Sequence, residues 1–214
     1  MKWFLAFFKT SIGKKQLMAI TGLFLSIFII VHLVGNFTLF MGAETFNEYA
    51  KFYADHPKLL LVAEAGLVTI FLVHILLAFN LTLENKAARP QSYAKKDASD
   101  ATLASRTMIY SGAIVLVFLV WHLIVFKFGP HHTHPRGLYG VVSEAFQIPW
   151  IGSVSVIAML LLGFHLNHGI QSVIQTFGVE QPKLTPLVNL VGLVLSLFIG
   201  IGFAIIPLFF LFKG

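Results

Sequence analysis

The chain contains no cysteine, so disulfides, iron–sulfur clusters and thiolate-bound zinc are excluded within it. Charge is scarce as well. Asp, Glu, Lys and Arg make up only 11% of the 214 residues, too few to cover the surface of a water-soluble domain of this size. No polar stretch is long enough to fold as a separate domain, low-complexity tracts are missing, and no sequence repeat is evident. What is present is apolar: 57% hydrophobic residues and a mean hydropathy of +0.83. The basic excess, 15 Lys and Arg against 9 Asp and Glu, therefore points to topology and anionic headgroups rather than to nucleic acid.

Five apolar runs exceed the roughly 20 residues that cross a bilayer at about 1.5 Å rise each. They predict membrane helices near 16–41, 59–83, 107–128, 149–177 and 185–212. The first is too long for the core of a signal peptide, so no cleavage is expected, and residues 3–8 read as an interfacial aromatic anchor. The polar breaks, 42–58, 84–106, 129–148 and 178–186, read as loops. The last is short enough to make helices four and five antiparallel neighbours. Lys and Arg divide ten to five in favour of the side carrying the N-terminus, which is therefore expected in the cytoplasm. The fold class is all-α over residues 1–214, a single transmembrane domain whose first four helices form a bundle.

Histidines are distributed through that bundle in order. Helix one carries His32, helix two His74, helix three His122, and helix four His165 and His168; helix five has none. An ionisable group in a membrane is costly and marks function by default. Any single one also has a plainer reading, packing between helices with one hydrogen bond. Four in succession are harder to explain that way. Each lies 15 or 16 residues from the start of its run, and successive helices reverse direction. His32 and His122 thus fall in the outer half of the membrane, and His74 with His165 or His168 in the inner half. The two levels are on the order of 10 Å apart.

Two pairs at two depths suit two stacked haems better than one four-histidine metal site, which would need every nitrogen about 2 Å from one ion. Two neutral imidazoles fill both axial positions of a haem iron and favour electron transfer over oxygen binding. Small residues for close porphyrin approach are available at Gly22, Gly35, Gly66, Gly112, Gly163 and Gly169. Arg106, Lys86 and Lys95 on the inner side, and Lys51, Lys58 and Lys127 on the outer, are candidate propionate partners, with headgroup contact as the simpler alternative.

The run Gly22–Asn36 around His32 resembles the di-haem cytochrome b subunit of succinate dehydrogenase and fumarate reductase (the b558 type, a five-helix single-subunit anchor). So do Glu64 with His74, Trp121-His122-Leu123, and Gly163-Phe-His165-Leu-Asn-His168-Gly169. The resemblance implies His74 and His165 as axial ligands of an inner haem b, and His32 and His122 of an outer one. The pattern His-x-x-x-Gly favours His165 over His168. It further implies a quinone, menaquinone in this type, a flavoprotein with FAD and an iron–sulfur protein on the cytoplasmic face of a bacterial inner membrane. Succinate chemistry would then belong to the flavoprotein.

A quinone reacting on the outer side needs a proton-exchanging group, for which Glu44, Glu48 and Glu64 are candidates. The first two also read as solvated loop residues; Glu64, inside helix two, is costlier to bury. The cluster His131-His132-Thr133-His134 reads as an exposed polar loop, with metal binding as the sharper alternative. Competing functions are a haem b subunit of another respiratory dehydrogenase and a haem-free small transporter.

Overall fold

The computed structural model describes residues 6–88, 103–130, 133–178 and 181–213. Several residues singled out above lie outside it: 3–5 of the aromatic anchor, Lys95, His131 and His132, and the side chain of Arg106. Among the described residues there are helices and no strands. Five helices are long and apolar enough to cross a membrane.

Helix α1, Ser11–Asn36, starts where the Thr10 side chain accepts the Gly13 N–H at 3.1 Å, an ordinary N-cap. A 3-10 segment, Phe37–Met41, carries the first span on. The short helix α2, Ala43–Ala54, leads to α3, Pro57–Ala87. Helix α4, Leu103–His122, ends in one π-helical turn, Leu123–Lys127. The short α5, Gly137–Gln147, precedes α6, Pro149–Thr176, and α7, Thr185–Phe212, closes the fold. Proline stands in the first turn of α3, α6 and α7, where its fixed φ favours helix and its missing N–H costs nothing.

The predicted spans correspond to α1, α3, α4, α6 and α7, with differences at the edges. Helix α1 begins earlier and α3 extends further at both ends, because backbone bonding continues through Lys14, Lys15, Glu84 and Lys86 although the apolar runs stop there. The breaks at 42–58 and 129–148 are not simple loops. Each folds a short helix that turns an apolar face onto the bundle: Phe46 of α2 and Tyr139, Val142 and Phe146 of α5 are buried. The Phe46 and Tyr139 rings meet at 6.4 Å.

Helices α1, α3, α4 and α6 form a four-membered ring in that order, α6 closing back on α1. Helix α7 lies outside the ring, packed along α6 and touching α1. Backbones approach closely there. A Cβ at Gly163 would sit 2.9 Å from the Ser196 carbonyl oxygen and 3.1 Å from Gly200 Cα. Small residues at such a crossing let helices gain dispersion contacts where lipid supplies no hydrophobic drive. By contrast α3 and α4 touch sparsely. Helix α3 is pinned at both ends instead, by an ion pair of Glu84 with Lys14 of α1 and one of Glu64 with Lys127 after α4. Large apolar residues such as Val62, Leu61 and Val117 face outward, as lipid contact requires.

The ring has an internal repeat that is not evident in the sequence alone. Each half consists of a long helix, an irregular turn, a short helix and a second long helix. Thr21-Gly22 precedes His32 by the same spacing as Ser111-Gly112 precedes His122, an offset of 90 residues; His74 and His165 are offset by 91.

Candidate haem-binding site

Four partly buried histidines fall into two pairs on diagonal helices, α1 with α4 and α3 with α6. Near the face opposite the N-terminus, the rings of His32 and His122 are 6.1 Å apart. Two imidazoles bound at about 2 Å to one ion have ring centres about 6 Å apart, so this spacing fits a single iron. Aromatic rings hold both. Phe28 stacks on His32 at 5.4 Å with Phe203 at 5.8 Å, while Phe118 and Phe126 lie 5.8 Å and 5.0 Å from His122. His122 is the last residue before the π turn, a feature that often re-aims side chains at functional sites.

Near the N-terminal face the second pair is held by hydrogen bonds. His74 Nδ1 lies 3.2 Å from Thr21 Oγ1 on α1, and His165 Nδ1 lies 3.2 Å from Ser111 Oγ on α4. The adjacent glycines give each ring its room. A Cβ at Gly22 would come 3.4 Å from His74 Cε1, and one at Gly112 3.2 Å from His165 Cε1. His74 and His165 are near enough to interact electrostatically. Since His74 stands beside Thr21, eleven residues before His32 on the same helix, the two pairs are separated by about 16 Å along the bundle. That exceeds the sequence-based spacing of about 10 Å.

His168 lies one turn beyond His165 and makes no side-chain hydrogen bond among the described residues. The repeat matches His165, not His168, with His74. Of the six glycines considered, only Gly22 and Gly112 abut a candidate ligand. Gly35 makes room for Tyr49, Gly163 for α7, Gly169 stands near Met108, and Gly66 has nothing within 4 Å. The donor set therefore fits haem: imidazoles paired across the ring, with sparse contact between α3 and α4.

The acidic candidates lie near the opposite face. Glu44 and Glu48 are exposed on α2, and Glu64 is paired with Lys127, so Lys127 is committed to a carboxylate rather than free for a propionate. His134 joins a surface clamp, while His131 and His132 lie outside the described residues. Its Nε2 lies 3.2 Å from Glu144 Oε2, and Arg136 donates to Glu144 Oε1 at 2.8 Å. The Arg136 hydrogen bond, then that of His134, holds the Glu144 carboxyl below its usual range. A second polar pair, Tyr49 and Tyr53, joins hydroxyls at 3.1 Å on α2, and burial followed by that hydrogen bond pushes Tyr49 up to about 12. Neither tyrosine was singled out from the sequence; their i, i+4 spacing was the available signal.

Fold and site together define a five-span helical membrane protein built around two imidazole pairs. Residues 82–201 match the model of the succinate dehydrogenase/fumarate reductase transmembrane subunit family. The match takes in more than half of the chain, which belongs to that family. It includes His122, His165 and His168 and leaves α1 and most of α3, with His32 and His74, outside. No curated protein and no solved structure matches the chain.

Proposed function

We propose that this chain is the cytochrome b membrane anchor of a succinate–quinone oxidoreductase, with His74 and His165 as ligands of one b haem and His32 and His122 of another. The observation that carries this reading is the arrangement of imidazoles in two diagonal pairs at two levels. When bound, the two haems supply a one-electron relay between an iron–sulfur partner and a quinone, menaquinone by the family type. The protein's own part is to hold each imidazole neutral and in place, to keep water from the bundle interior, and to space the two levels. The FAD-bearing flavoprotein and the iron–sulfur protein dock on the N-terminal face, which the Lys and Arg bias turns toward the cytoplasm. Glu64, Glu44 and Glu48 stand near the opposite face, where a quinone undergoing reduction or oxidation exchanges protons. Glu64 combines a position inside the membrane span with a basic partner, Lys127, and is the strongest of the three.

The test is optical. Purified, haem-replete protein is expected to show a reduced-minus-oxidised α-band at about 560 nm, the mark of bis-histidine b haem. His32→Ala and His74→Ala should each remove about half of the haem, from potentiometrically different components. Absence of the band, or loss of the same component in both variants, refutes the reading.

A further inference from the structure

We propose that Thr21 and Ser111 are positioning residues that hold His74 and His165 as their Nδ1–H tautomers and thereby set the electron affinity of the haem near the N-terminal face. This deepens the di-haem reading and rests on it. The argument begins with a count of protons. A hydroxyl has one hydrogen to give. Thr21 Oγ1 lies 3.0 Å and 2.9 Å from the carbonyl oxygens of Leu17 and Met18, and Ser111 Oγ lies 3.0 Å from that of Met108. Each hydroxyl thus donates to the preceding turn of its own helix and turns a lone pair toward the imidazole.

A lone pair facing Nδ1 at 3.2 Å requires that Nδ1 carry the ring proton. Nε2 is then left unprotonated, the form that ligates a metal. Both hydroxyls are buried, with 5% and 4% of their residues exposed, so water does not compete for the ring. The neighbouring glycines let each ring come this close: a Cβ at Gly112 would press on His165 Cε1, and one at Gly22 would already touch His74 Cε1. The repeat places the same device on α1 and α4, one for each ligand. His32 and His122 lack it: among the described residues no hydrogen bond to either ring is made, and aromatic rings flank them instead. A hydrogen bond accepted from Nδ1–H makes the imidazole a stronger donor and favours ferric iron. The effect belongs to one haem only.

Thr21→Val and Ser111→Ala remove the hydroxyl acceptors with little change of volume, leaving in place the Met18 and Met108 carbonyls that also face the two rings. Redox titration of the two haem components in the assembled complex, followed optically, should show the component lost in His74→Ala shifted toward the ferrous form by several-fold to tenfold. A tenfold change is 59 mV for one electron. The component lost in His32→Ala should not move. Thr21→Ser and Ser111→Thr, which keep a hydroxyl, should restore the wild-type potential, a rescue that simple loss of packing would not give. Haem present with no selective shift, with both components moving equally, or with a shift toward ferric overturns the inference while leaving the di-haem reading intact. Wild-type protein without haem overturns both.

Discussion

Helices α3 and α6 occupy equivalent places in the two halves of the ring, yet they are held in different ways. Helix α6 meets α1 and α4 within the ring and α7 outside it, and buries Ser155, Ala158, Met159, Leu162, Gly163 and Leu166. Helix α3 buries only Leu77 and Leu81, meets chiefly α1, and is tied at each end by one ion pair. Side-chain packing against three neighbouring helices holds the first. The second touches α4 sparsely, and on the proposed reading bound porphyrin supplies contacts that side chains do not. The same contrast runs along the bundle, where one histidine pair is set by hydroxyls and the other by aromatic rings.

The sharpest test of this comparison is at its centre. His165→Ala should abolish the haem shared with His74, whereas His168→Ala should leave haem content near wild type; pyridine haemochrome stoichiometry reads both. Equal losses would mean that the repeat does not identify the ligand. Next come the glycines. Gly163→Ala thrusts a methyl group against the backbone of α7 and should cost about 1–3 kcal/mol, while Gly66→Ala on α3 should change stability by less than about 0.5 kcal/mol. Thermal unfolding in detergent compares the two, and a larger effect at Gly66 would contradict the loose packing of α3.

The ion pair comes third in size. Glu64 and Lys127 are each 40% exposed, so Glu64→Gln should cost no more than about 1 kcal/mol of stability. Quinone turnover by the complex should nevertheless fall if this carboxylate exchanges protons, and unchanged turnover would remove Glu64 from the site. The smallest effect is at Tyr49. With a folded value raised to about 12, its contribution is fully present below the ordinary value of 10 and is lost as the pH rises from there toward 12. Tyr49→Phe should remove that dependence, as monitored by alkaline unfolding and phenolate absorbance.

The resemblance drawn from the sequence extends over nearly all of the chain, while the family match takes in residues 82–201. His32 and His74 therefore enter the site through geometry: one pairs with His122 by ring spacing, the other is related to His165 by an equivalent hydroxyl. The repeat was present in the text of the sequence as Thr21-Gly22 before His32 and Ser111-Gly112 before His122. It was obscured because lipid-facing positions accept almost any apolar residue, so little else in the two segments is constrained to match.

The sequence by itself determined the number of spans, their approximate limits and the histidines they carry, because bilayer thickness and the cost of buried polarity act locally on each segment. Tertiary structure alone decided the ring order, the short helices α2 and α5, the commitment of Glu64 to Lys127, and which glycines face an imidazole. Those depend on how helices are rotated about their axes and which neighbour each face meets. In a membrane, where both faces of a span are apolar, hydrophobic periodicity carries little of that information.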